Sequence, residues 1–187
     1  FISMKNNFFS SIITVAAFFI LFFLPSPAQA ANYTLLQLDY NGYLATQTLT
    51  RDKSPYLVLS GCARNNLKEG RTLTIEAGTI VKFADNKPCG WWGTIHAGLY
   101  IYGNLIVNGT PEEPVIFTSY RDDTSSGDTN NDGNTTAPNK GDWKKIALDT
   151  KLGNISIKNA IFRYGGQGSA LMTISNKTIP PIGKFVI

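Results

Sequence analysis

The sequence predicts an all-β chain arranged as a β-solenoid of about three coils. Helix signals are nearly absent from residue 57 onward. Runs of three to six residues rich in Ile, Val, Thr, Phe and Tyr alternate there with Gly and Asn, the signature of short strands and turns. Residues 73–83 also overlay 99–109 at an offset of 26, which aligns Leu73 with Leu99, Ile75 with Ile101, Ile80 with Ile106 and Val81 with Val107. A third, weaker copy covers 155–164. A single coil cannot bury its own apolar face, so a repeat of this length implies stacking, with inward side chains lined up from coil to coil. An antiparallel sandwich has equally short strands. Its tight hairpin signals are scarce here: Asp132-Gly133 lies in a long polar stretch, and Asn108-Gly109 runs into Thr110-Pro111-Glu112-Glu113-Pro114.

The strands expected from this pattern cover 57–59, 72–76, 79–83, 99–102, 105–108, 115–120, 145–148, 155–158, 160–164 and 170–174. Residues 31–56 fit less well. Asn41-Gly42 sits between two partly alternating runs, 35–40 and 43–50, and reads as a hairpin capping the first coil. Residues 120–141 are Asp, Asn, Ser, Thr and Gly with almost nothing apolar, and read as a protruding loop. The chain stops on Phe185-Val186-Ile187 without a polar cap. Open strand edges need covering, so further C-terminal coils are expected.

Residues 1–30 read as a secretory signal peptide, with 1–3 as upstream residues before Met4. Lys5 is the positive start, 8–24 is an uncharged apolar run, Pro25-Ser26-Pro27 breaks it, and Ala28-Gln29-Ala30 is a small-x-small cleavage site. The alternative is a membrane anchor, for which 17 residues is at the short edge. Lys and Arg number 17 against 13 Asp and Glu, a net charge of +4, or +3 once Lys5 leaves with the leader. No basic cluster accompanies it, so nucleic acid is not an expected partner. No second long apolar segment follows, so no membrane span is expected in the mature chain. The expected location is extracellular or cell-surface, with the periplasm as the other exported compartment. There a pair of cysteines, Cys62 and Cys89, is a disulfide candidate adding about 3–4 kcal/mol on the entropy model. Two unpaired buried thiols are the other reading.

Asp128-Thr129-Asn130-Asn131-Asp132-Gly133-Asn134 carries the sharpest local chemistry. It matches D-x-N-x-D-G, the first half of a calcium loop, in which oxygens at alternate positions converge and Gly permits the turn. The ligand candidates are Asp128, Asn130, Asp132 and Asn134. The twelfth position is Asn139 where a bidentate Glu is wanted, so Asp122, Asp123 or Asp142 would supply the missing carboxylate, with Asp123 taken as the candidate. The bland reading is a solvated turn in which Asn, Asp and Gly serve the backbone. Trp91-Trp92 offers aromatic faces for sugar rings, or else a corner where both rings cover the strands. His96, the sole His, has no nucleophile motif near it, and no catalytic residue is assigned. Lys144, Lys145, Lys158 and Arg163, expected on later strands, would face the acidic loop across a cleft or form a solvated mixed-charge face. Asn-x-Ser/Thr triplets at Asn32, Asn108, Asn134, Asn154 and Asn176 matter only on a eukaryotic secretory route.

Several strings, in order, resemble exported bacterial right-handed parallel β-helix repeat proteins of the pectin-lyase-like fold. They are residues 72–83, residues 105–119, Arg121-Asp122-Asp123, residues 127–133, Gly141-Asp142-Trp143 and residues 161–165. The resemblance covers about residues 55–175. One departure is Lys144-Lys145 where the family often has Gly-Gly after Asp-Trp. The resemblance implies a right-handed helix, a secreted or surface module and no single reaction. A non-catalytic scaffold or adhesion surface binding a polysaccharide or cell-surface glycan is the first expectation. The alternative is a fragment of a polysaccharide lyase or glycoside hydrolase acting on acidic polysaccharide.

Overall fold

The computed structural model describes residues 33–60, 65–84, 87–149, 151–168, 172–175 and 185–186. The leader expected over 1–30 lies outside the described residues. Among those described, no helix is long and apolar enough to cross a membrane.

The described chain is all-β apart from two three-residue 3-10 turns. Three sheets are parallel throughout. The first sheet contains, in spatial order, β1 (Thr34–Leu35), β3 (Tyr56–Val58), β6 (Ile80–Phe83), β11 (Val115–Ser119), β14 (Ala160–Phe162) and β16 (Phe185–Val186). The second is β2 (Gln47–Leu49), β5 (Thr72–Glu76), β10 (Asn104–Asn108) and β13 (Ile155–Lys158). The third is β4 (Asn66–Leu67), β9 (Leu99–Ile101), β12 (Ile146–Asp149) and β15 (Met172–Ser175). From β2 to β15 the chain visits the second, first and third sheets in that order, and the order recurs four times, one more than the sequence suggested. A short antiparallel pair, β7 (Lys87–Pro88) with β8 (Thr94–Ile95), interrupts the passage from β6 to β9.

Strand alternation sends every second side chain to one side, and parallel register then lines like with like. In the second sheet Leu49, Ile75, Val107 and Ile157 are successive partners, all buried. In the first sheet the row is Tyr56, Val81, Phe117 and Phe162. In the third it is Leu67, Ile101 and Leu148. All three rows join one apolar core. The corner from the third sheet to the second is held by a polar row: Asn104 Nδ2 donates to Thr72 Oγ1 at 3.1 Å, and Asn104 Oδ1 accepts the Asn154 amide at 2.9 Å.

Two expectations are corrected. Residues 73–83 and 99–109 do not overlay. Leu73 partners Leu105, Ile75 partners Val107, and Ile80 partners Ile116, while Leu99 and Ile101 lie in the third sheet. Both segments are strand–turn–strand with the same alternation, but they span different corners. The N-terminal hairpin is also reduced to one antiparallel bridge, Leu38 with Leu44, around the Asn41-Gly42 turn. Its flanks join parallel sheets instead, β1 on β3 and β2 on β5.

Candidate metal centre

The polar stretch expected at 120–141 carries no strand and connects β11 to β12. It leaves from the same kind of corner, first sheet to third, as the β7–β8 excursion does one visit earlier. It does not simply protrude. Its roots pack down: Trp143 is fully buried, stacks on Phe83 with centroids 4.0 Å apart and planes 6° apart, and donates its indole N–H to Arg163 O at 2.8 Å. Ser119 Oγ donates to Asp142 Oδ2 at 2.6 Å, closing the two ends of the loop on each other.

The floor is the outward face of the first sheet, where Lys82 and Thr118 are register neighbours on β6 and β11. Both are buried under the loop. Thr118 Oγ1 donates to Asp122 Oδ2 at 2.6 Å, and Thr124 Oγ1 and N–H donate to Asp122 Oδ1 at 2.5 and 3.2 Å. Burial opposes ionisation of Asp122, but the hydroxyls of Thr118, Thr124 and Ser125 and the Arg163 guanidinium, at 3.9 Å, hold it below its ordinary value. Lys82 Nζ donates to Asp122 O at 3.0 Å, Gly127 O at 2.8 Å and Thr129 Oγ1 at 2.6 Å. Burial depresses its pKa, against the pull of Asp122, Asp123 and Asp128.

Above this floor the half-motif folds as a tight turn. Asp128 accepts the Gly133 amide at 2.8 Å and the Asp132 amide at 3.3 Å. Asn131 and Gly133 take left-handed φ of 57° and 65°, which Asn and Gly tolerate best. The turn brings one oxygen each from Asp123, Asp128 and Asp132 within 4.8 Å of one another. Asn130 Nδ2 donates to Asp132 Oδ2 at 2.8 Å and to Thr136 Oγ1 at 3.1 Å, so the amide oxygen is free to face another group. Asp123 Oδ1, Asn130 Oδ1 and Asp132 Oδ1 are buried acceptors without a donor. Burial, then the neighbouring Asp128 carboxylate, raises the Asp123 pKa above its ordinary value. Unmet acceptors and mutual repulsion are what a cation with oxygen ligands would relieve.

Four of the five expected ligand residues are therefore near one another. Asn134 follows the Gly133 turn and is exposed. Nothing in the sequence pattern marks Lys82 and Thr118 as this floor, and Asp122 stands out only as a carboxylate near the loop. Trp91 stands at the tip of the 3-10 turn Gly90–Trp92, between β7 and β8, with its side chain wholly exposed. It does not cover the strands; the Trp92 side chain lies outside the described residues. Cys89 is buried and is not among free thiols, while Cys62 lies outside the described residues. His96 Nδ1 is buried without a partner, and burial followed by the Lys144 charge lowers its pKa. Lys144 and Lys145 precede β12 and Arg163 follows β14; of the four cations only Lys158 lies on a strand. Arg163 Nη1 lies 3.4 Å from Ser125 Oγ as well as beside Asp122, so it belongs to the loop's floor.

Comparison with known proteins gives no matching family model, no similar curated protein and no similar solved structure.

Proposed function

We propose that this chain is a secreted or cell-surface, non-catalytic β-solenoid module whose 120–141 loop binds calcium. In this reading the three parallel sheets are the faces of a right-handed parallel β-helix of the pectin-lyase-like kind, and each second–first–third visit is one coil. The recurrent strand order and the three apolar rows support it. The cation reading rests on one observation: three donorless buried oxygens, from Asp123, Asn130 and Asp132, beside three converging carboxylates. Hard oxygen donors of this kind suit calcium in preference to a softer transition metal. The exposed Trp91 ring supports a polysaccharide or surface glycan as partner, since an aromatic face stacks on the apolar face of a sugar.

Calcium that binds only the folded chain raises its stability by mass action. An extracellular-type affinity at 10 mM calcium gives about 1.4–2.7 kcal/mol, or roughly 3–10 °C in Tm. The Asp132→Ala variant should lose that shift while keeping its fold. A wild-type Tm indifferent to both 10 mM calcium and chelator would dismiss the calcium reading. Incubation with acidic polysaccharides should give no new unsaturated or reducing ends; turnover lost in Asp128→Ala would instead support a lyase or hydrolase. The proposed Cys62–Cys89 bridge predicts no reactive thiol in unreduced, denatured protein, and a count of two would remove it.

A further inference from the structure

We infer that Lys82 is a positioning residue, a built-in ammonium that holds the 120–141 loop folded without a metal, so that the cation enters a preformed site. The carbonyls of Asp122 and Gly127 are both fixed by one Nζ, at 3.0 and 2.8 Å. Each is one peptide away from a carboxylate of the cluster, Asp123 and Asp128. Thr129 Oγ1, the third partner at 2.6 Å, stands between Asp128 and Asn130. Three bonds from a buried point on β6 thus set the backbone on both sides of the converging oxygens. An ammonium has three donors and no acceptor, and all three donors are used here, so the arrangement is complete in itself. Hydrogen bonds from a charged group are the stronger kind; without them the Asp122 and Gly127 carbonyls keep only one longer bond each, at 3.3 Å, from the Ser125 amide and the Thr129 hydroxyl.

The direction of the effect separates this role from plain charge. If Lys82 only contributed a positive charge beside the site, its removal would lessen repulsion and tighten cation binding. If it positions the loop, removal makes binding carry the cost of ordering residues 122–129, and affinity falls.

The experiment compares the full chain, Lys82→Met and Thr129→Val by amide hydrogen exchange in chelator and in 10 mM calcium, with terbium(III) luminescence titration for affinity. The Ser125 and Gly133 amides, each hydrogen-bonded within the loop, are the reporters. The Ile75 and Val107 amides in the second sheet control for global folding. In the full chain the reporters should be protected even in chelator. In Lys82→Met they should be protected only with calcium, and terbium should bind at least about 10-fold more weakly. Thr129→Val, which removes one partner from the loop side and leaves the sheet intact, should shift both readouts the same way by less. Full-chain reporters unprotected in chelator, protection unchanged in Lys82→Met, or tighter terbium binding in that variant would each overturn the inference. Because the inference builds on the calcium reading, the chelator arm stands separately. If the full chain binds neither ion, the calcium reading fails, and protection in chelator, lost or kept in Lys82→Met, alone supports or overturns the role of Lys82.

Discussion

Phe117→Ala is expected to lower stability by about 3–5 kcal/mol, the range for truncating a buried aromatic in a core that cannot fully collapse. Phe117 is 1% exposed and lies flat on Phe162, with ring centroids 4.7 Å apart and planes 6° apart. Its register neighbours are Val81 on one side and Phe162 on the other, so the loss opens a gap in the middle of the row. In parallel stacking the strands on either side are fixed by backbone hydrogen bonds at a spacing of about 4.8 Å and cannot close in to fill it. Urea denaturation measures the effect. Ile116→Ala, one residue away on the opposite and half-buried face, should cost much less. Equal losses for the two variants would mean that the inward row is not where the apolar energy lies.

Gly153→Ala is expected to cost about 3 kcal/mol or more, through overpacking. Gly153 sits in the turn from β12 to β13. A Cβ placed there would run into the backbone oxygen and carbonyl carbon of Gly103, the glycine of the preceding turn. Gly103 is itself pressed on the carbonyl oxygens of Arg71 and Lys68. The obstacle is backbone against backbone, which no rotamer change relieves. The same corner carries the Asn154–Asn104–Thr72 hydrogen bonds, so moving the turn aside would break them as well. Lys151→Ala, an exposed change in the same turn, is the control and should lie within about 0.5 kcal/mol of the parent by denaturant titration. An unaffected Gly153→Ala would mean that the two turns do not bear on each other.

The strands themselves were legible because their information is local. Residues 72–76 and 155–158 alternate cleanly and are strands over just those residues. The registers were not legible, because the spacing between partners is uneven. Gln47 and Leu73 are 26 residues apart, Leu73 and Leu105 are 32 apart, and Leu105 and Ile155 are 50 apart. The β7–β8 excursion and the 120–141 loop lengthen the later intervals. A constant period of 26 therefore pairs 73–83 with a segment at a different corner. At the candidate site the D-x-N-x-D-G turn was visible since its hydrogen bonds close within six residues, Asp128 to Gly133. Lys82 was not, because strand alternation points it away from the core and reads as solvent-facing. Its partners, Asp122, Gly127 and Thr129, lie 40 or more residues further along the chain.

A crystal of residues 31–187 grown in 10 mM calcium tests the proposal most directly. The predicted result is one ion bound through carboxylate oxygens of Asp123, Asp128 and Asp132 and the Asn130 amide oxygen, with Lys82 still bonded to the loop carbonyls beneath. A well-ordered loop with water alone among those four side chains would contradict it.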